Sequence, residues 1–254
     1  MKLSLLTFQL GKHMELTKLL EVTTASGIPG IEFRAELDHK HGVELDTTAE
    51  QRAAIRTQCE DAGVAICSIA TGCRFQSLDA AERQENVERG KRFVDLARDV
   101  GAPVVRVFGD RFEGNDEALV VANVGECLRQ LGDHAEASGV SVCLEMHGDF
   151  YKWQHARRAV ELAAHPRIGI VHNCDPREAA DGPIAESVGK VQPYIRHVHI
   201  HGLEEGKYPY KEFFALMAAA GYGGYLSLEC AESADAERVI ALYAALFREM
   251  IASA

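Results

Sequence analysis

Eight short apolar segments, longer segments of helical spacing between them, and glycines closing several of those helical segments together predict a closed (β/α)₈ barrel. The apolar segments are strand-like in length and β-branched content: LSLLTF (3–8), GIEFR (30–34), VAICSIAT (64–71), PVVRVFG (103–109), VSVCLEM (140–146), IGIVHN (168–173), IRHVHIH (195–201) and GYLSLEC (224–230). Between them, segments such as 81–100 and 117–137 carry apolar residues at helical spacing. The stretches ASG-IPG, DAG-V, DVG-AP, ASG-V and AAG-YGG each place a glycine where a helix must stop and a strand begin, a position that favours positive φ. In 44–51, ELDTTAEQ reads as a helix start with Asp46 or Thr47 as cap.

The rival architecture is an open doubly wound sheet. Its dinucleotide-binding form needs G-x-G-x-x-G after the first strand, and FQLGKHM (8–14) does not supply it. No linker, low-complexity stretch or change of composition interrupts the chain, so 1–254 is expected to form a single barrel domain.

Composition narrows the function classes. A formal net charge of −11 and the lack of a Lys/Arg run disfavour a nucleic-acid groove or an anionic membrane surface as partner. The seven cysteines are scattered, odd in number and contain no C-x-x-C, which points to reduced thiols and a cytoplasmic setting. No run of about 18 apolar residues predicts a membrane span, and the N-terminal segment lacks a small-residue cleavage site. The expected partner is a small molecule; a homo-oligomer is compatible with the sequence.

In a barrel, one face of each strand packs on the helices and the other points to the axis, with the strand C-termini lining the site. Alternation then turns Glu32 and Arg34 inward from the second strand, and Cys143, Glu145 and His147 from the fifth. It also turns His197, His199 and His201 inward from the seventh, and Ser227 and Glu229 from the eighth. In the sixth strand Ile168 and Ile170 face the helices, which points Asn173 inward and leaves His172 outside. Glu145, Asn173, His199 and Glu229 therefore gather at the ends of four consecutive strands. Two carboxylates, an amide oxygen and an imidazole form an oxygen-rich donor set for one divalent ion, Mn²⁺, Mg²⁺, Co²⁺ or Zn²⁺. Carboxylates this close repel unless a cation or protons intervene. The bland alternatives are an ion-pairing role for each glutamate, packing for Cys174 and Cys230, and neutralisation of Glu32 and Asp110 by Arg34 and Arg106.

The pieces GIPGIEFR, DVGAPVVRVFGD, VSVCLEMHGDF, IGIVHNCDP, YIRHVHIHG and YPYKEFFALMAAAGYGGYLSLEC resemble the xylose isomerase-like (β/α)₈ barrel superfamily. The similarity is to its sugar phosphate isomerase/epimerase branch, which includes ketose 3-epimerases, hydroxypyruvate isomerases and inosose dehydratases. The resemblance implies a divalent ion held by a Glu on strand five, an Asp on strand six, a His on strand seven and a Glu on strand eight. These roles fall on Glu145, Asn173, His199 and Glu229. Asn173 departs from the usual Asp, with Asp175 as the alternative ligand two residues on, and Pro176 stands where a histidine often follows.

The expected function is a metal-dependent isomerase or epimerase of a small keto-sugar or related polyol, working through an enediolate with Glu145 and Glu229 as proton carriers. Arg34, Arg106, His147, His201 and Lys207 are the candidate contacts for substrate hydroxyls or an acidic group. Asp149 is expected to orient His147 or to cap the following helix. A dehydratase of the inosose or dehydroshikimate type shares the first proton abstraction and stands as the alternative, beside a non-catalytic sugar-binding barrel. An endonuclease IV-like repair enzyme shares the fold, but the charge of −11 opposes DNA binding.

Overall fold

A computed structural model describes residues 1–253. Eight parallel strands close in sequential order into a barrel, with β8 returning to pair with β1 through Lys2↔Tyr225 to Leu5↔Leu228. The first half runs β1 (Lys2–Leu6), α1 (Leu16–Ala25), β2 (Gly30–Arg34), α2 (Ala49–Asp61), β3 (Ala65–Arg74), α3 (Ala80–Val100), β4 (Val104–Phe108) and α4 (Glu117–Ala135). The second half runs β5 (Ser141–Glu145), α5 (Trp153–Ala163), β6 (Ile168–Asn173), α6 (Pro176–Asp181), α7 (Ile184–Val191), β7 (Ile195–Ile200), α8 (Tyr210–Ala219), β8 (Tyr225–Leu228) and α9 (Ala236–Ala252).

All eight expected strands are present, with shifted ends. β1 stops two residues early, β3 runs on to Arg74, and β7 and β8 end just before His201 and Glu229. The five expected helix-closing glycines, Gly27, Gly63, Gly101, Gly139 and Gly221, all have positive φ. Gly101 caps α3 at φ 84°, where its N–H reaches the carbonyls of Ala97 and Arg98. The cap of α2 differs from expectation. Thr48, not Asp46 or Thr47, accepts from the Gln51 N–H while the Gln51 side chain accepts from the Thr48 N–H. This reciprocal box satisfies two helix-end donors at once, which a lone Asp46 could not do.

The two faces of the sheet divide the interior chemically. Outside it, Leu5, Ile31, Phe33, Ile69, Val105, Val107, Val142, Leu144, Ile170, Val198, Ile200, Leu226 and Leu228 belong to one continuous apolar core with the helices. Inside the barrel the apolar filling is small: Val104, Cys143 and Val171 form a separate cluster. The rest of the buried axis includes Ser4, Glu32, Ser68, His197, His199 and Ser227. Such groups are tolerated without water only when they bond to one another, and Ser4 Oγ to Ser227 Oγ at 2.8 Å is one such pair.

Ala164 closes α5 in the left-handed region, at φ 48° and ψ 43°, a conformation that costs an L-residue about 1 kcal/mol or more but glycine little. Its side chain is exposed. Ala164→Gly is therefore expected to raise unfolding stability by about 1 kcal/mol, read from the urea midpoint at unchanged slope.

Candidate metal and substrate site

At the C-terminal end of the barrel, Glu145, His199 and Glu229 bring one ligand atom each within 4.8 Å of one another. His199 Nδ1 lies 3.3 Å from Glu145 Oε1 and 3.4 Å from Glu229 Oε2. Its other nitrogen, Nε2, is 3.0 Å from Glu32 Oε2, across the barrel axis. Glu32 is fully buried, and Ser68 Oγ donates to its Oε1 at 3.0 Å while His197 Nε2 lies 2.8 Å from its Oε2. The carboxylate thus fixes the His199 ring with Nε2 bonded inward and Nδ1 turned to the mouth, the arrangement that orients metal-binding imidazoles.

Burial alone would raise the pKa of Glu32, but the charges of His199 and His197 and their hydrogen bonds outweigh it and hold the carboxyl well below its ordinary range. For His199 burial pushes downward, and the attraction of Glu32 and Glu145 overcomes it, so its pKa lies well above the usual value. Glu145 follows the same logic. Desolvation raises it, Arg106 and His199 lower it more, and it stays ionised. Arg106 Nε is 3.0 Å from Glu145 Oε2, and its guanidinium lies 4.0 Å from the Phe108 ring centroid.

The strand-six position shows a division between two side chains. Asn173 turns inward and is buried, with Nδ2 donating to Glu145 Oε1 at 3.1 Å and Oδ1 accepting from His201 Nε2 at 2.5 Å. Asp175 is turned away. It caps α6 by accepting from the Arg177 N–H at 2.9 Å, and its carboxylate is held by the Arg177 guanidinium. His172 faces the helices, stacked on Phe213 and 3.3 Å from Glu178 Oε2.

Other expected contacts are distributed around the rim. His201 Nδ1 lies 4.0 Å from Glu229 Oε2. The His147 side chain is 47% exposed, 3.8 Å from Asp110 and 5.0 Å from the Phe108 ring. Lys207 is 66% exposed and pairs with Glu205, so the structure does not bring it to the cluster. Asp149 neither orients His147 nor caps a helix. Its Oδ2 accepts from the Phe112 N–H at 2.7 Å and ties together the loops that follow β4 and β5. Gly148, at φ 62°, makes this closure possible: a Cβ there would meet the Asp110 backbone at 2.6 Å.

The neutralisation pattern read from sequence is corrected as well. Arg106 pairs with Glu145, and Glu32 is balanced by two histidines. Asp110 is bound by Arg74 at 2.7 Å. The extension of β3 to Arg74 carries that arginine to the rim beside Asp110. Alternation identified Glu32 and His197 as inward, but their bond joins strands separated by 165 residues, and no local spacing encodes that.

The donors fit a divalent ion. Two carboxylates and one imidazole nitrogen converge, with Glu145 turning Oε1 toward His199 Nδ1 and Oε2 toward Arg106. Asn173 completes the set only after a half-turn of its amide, which would present oxygen in place of Nδ2.

A closed parallel barrel with such a donor cluster at its strand C-termini defines a class of barrel enzymes. The family described as the xylose isomerase-like TIM barrel matches residues 20–250, and the chain belongs to it. Among curated proteins it is similar to 3-dehydroshikimate dehydratase of Pseudomonas putida, 27% identical over 243 residues, covering 84% of this chain and 36% of that protein. The dehydratase of the same name from Pseudomonas aeruginosa is 26% identical over 238 residues, with the same coverage. The chain thus spans about a third of the length of these relatives (36%). Among solved structures, an L-ribulose 3-epimerase superposes with a TM-score of 0.84 at 18% identity, covering 100% of this chain and 95% of that one.

One titration near the site is set by geometry. His41 Nδ1 accepts from the Val43 N–H at 3.0 Å and Nε2 donates to the Arg34 carbonyl at 3.1 Å, so the ring is held neutral. Burial, then His39, lowers its pKa from 6.5 to about 4 against the opposing bond to Arg34. Because the folded value is the depressed one, the protein is expected to lose stability as pH falls from about 6.5 to about 4, by on the order of 3 kcal/mol from this group. Urea unfolding of the wild type and of His41→Gln across that range checks it: the variant lacks this part of the decline.

Proposed function

We propose that the chain is a divalent-metal-dependent enzyme that removes the proton next to the carbonyl of a small polyhydroxylated ketone, leading to an isomer or epimer. The observation that carries this reading is the convergence of Glu145, His199 and Glu229 at the strand ends. Glu145, His199 and Glu229 would hold the ion, with the Asn173 carbonyl as a fourth donor. When bound, a divalent ion supplies Lewis acidity toward a carbonyl oxygen that gains negative charge as the proton leaves.

The two carboxylates are unequal partners. Glu145 is buried and held ionised by Arg106, which suits a ligand that keeps its charge. The Glu229 side chain is 23% exposed and makes no arginine or lysine pair among the described residues, which supports assigning it the substrate proton. The carbanion electrons move into the carbonyl. Return of the Glu229 proton to the neighbouring carbon, with the hydroxyl proton passing to the former carbonyl oxygen, gives an isomer; delivery of a solvent proton to the opposite face of the same carbon, with the Glu229 proton released to solvent, gives an epimer.

A second reading is dehydration, in which a hydroxyl on the next carbon leaves as water after the same abstraction. The similarity to two 3-dehydroshikimate dehydratases favours it, while the barrel superposition on an epimerase supports the fold equally for both.

Incubation with Mn²⁺ in D₂O, using L-ribulose, other ketoses and 3-dehydroshikimate, tests the shared step by carbon-bound deuterium in recovered substrate or product. A new ultraviolet-absorbing conjugated product separates dehydration from epimerisation. Glu145→Gln and Glu229→Gln are each expected to lower turnover at least about 10²-fold while the barrel stays folded, because an amide cannot carry the proton or the charge. Normal turnover by either would make that carboxylate structural.

Asn173→Asp is expected to tighten metal binding by adding a negative donor, whereas Asp175→Asn, which alters only the α6 cap and the Arg177 pair, should leave affinity within about twofold. Metal titration of the two variants checks this; loss of metal in Asp175→Asn would assign the strand-six ligand to Asp175.

A further inference from the structure

Among the described residues two arginines are buried, Arg34 and Arg106, and their surroundings differ. Arg106 has Glu145 at 3.0 Å. Arg34, at the end of β2 and 8% exposed, donates through Nη1 to the carbonyls of Ala35 and Ala70. Among the described residues its Nε and Nη2 donate to no protein acceptor, and no carboxylate oxygen lies within 4.0 Å of it. The two acidic groups near enough to influence it, Glu36 and Glu44, are committed elsewhere. Glu36 pairs with Arg89 at 3.2 Å and accepts from the Gly72 N–H, and both oxygens of Glu44 accept from the Glu36 N–H. A buried guanidinium without a close counter-charge is costly, and it presents a planar fork that matches a carboxylate.

Its place relative to the cluster is set by β3. Arg34 and Arg106 donate to successive β3 carbonyls, Ala70 at 3.3 Å and Thr71 at 2.7 Å, so the unmatched guanidinium sits beside the one that holds Glu145. Gly72 lies between Arg34 Nη2 and the Glu36 carboxylate, which its N–H holds. Burial, then Arg106, lowers the pKa of Arg34 to about 10, so its charge persists at neutral pH.

We propose that Arg34 anchors a carboxylate of the substrate, which makes the substrate class a small hydroxylated keto acid rather than a neutral ketose. The inference rests on the proton-abstraction reading of the mouth and names the substrate of that site. A single negative charge matches the single unmatched guanidinium. A phosphate dianion would add charge beside Glu36 and Glu44.

The test separates anion recognition from chemistry. Calorimetry on Mn²⁺-loaded protein compares shikimate, which lacks the ketone, with its methyl ester and with D-fructose 6-phosphate. The acid is expected to bind at least about tenfold tighter than the ester, the range of a charge-assisted hydrogen bond. Arg34→Gln should reduce the acid to the affinity of the ester, and Arg34→Lys should restore part of the difference. Equal binding of acid and ester, binding of neither, a preference for the phosphate, or an undiminished acid preference in Arg34→Gln overturns the proposal. Deuterium exchange on 3-dehydroshikimate and L-ribulose is measured in parallel. Absence of both deuterium exchange and a dehydrated product with every substrate would reject the proton-abstraction reading while the binding ratios still decide the role of Arg34.

Discussion

The barrel is organised around a buried line of alternating charge, Glu32 to His199 to Glu145 to Arg106, with contacts of 3.0, 3.3 and 3.0 Å. Each member is almost wholly inaccessible, and an unpaired charge in that position would cost several kcal/mol. The four groups are therefore interdependent: the imidazole keeps both glutamates ionised, and the guanidinium supplies the second positive charge. Serines from β1, β3 and β8 complete the line, so the lower barrel holds the ring of His199 in one orientation and presents Nδ1 to the mouth.

The outward faces of the same strands make this interior possible. Leu144 lies between Cys143 and Glu145, Val198 between His197 and His199, and Phe33 between Glu32 and Arg34, so each functional side chain is flanked by an apolar anchor in the helix-facing core. The rim uses a different device. The loops after β4 and β5 are locked by the Gly148–Asp110 contact, the Asp149 bond to Phe112 and the packing of Phe112 on Phe150. The loop after β6 is set by Asp175 and by the buried Glu178, which accepts from Tyr208 and Ser187. A rigid floor and individually tethered loops leave Glu229, His201 and His147 as the more open members of the mouth.

Much of this was legible in the sequence because the signals are local. Strand alternation turned Glu32, Glu145, Asn173, His199 and Glu229 inward, and glycine punctuation placed the helix ends. What was not legible depends on contacts between distant segments. The Glu32–His199 bond spans 167 residues, and the Arg106–Glu145 pair follows from the in-register pairing of β4 with β5, which sets Phe108 beside Glu145. The Thr48 cap was missed for a smaller reason: three candidate cap residues stand close together, and only the Gln51 side chain, three residues beyond Thr48, decides among them. Lys207, a candidate contact by sequence, pairs with the nearby Glu205 in solvent.

In the function proposed, Glu32, itself outside the mouth, prepares His199 to bind a metal. The most direct measurement is the Mn²⁺ or Zn²⁺ affinity of Glu32→Gln by titration calorimetry, with folding monitored by near-ultraviolet circular dichroism. Loss of the carboxylate behind a metal-binding imidazole is expected to weaken affinity about 10- to 100-fold in a protein that retains its tertiary signal. Unchanged affinity in a folded Glu32→Gln protein would contradict the account, since the orientation of His199 would then owe nothing to the buried carboxylate.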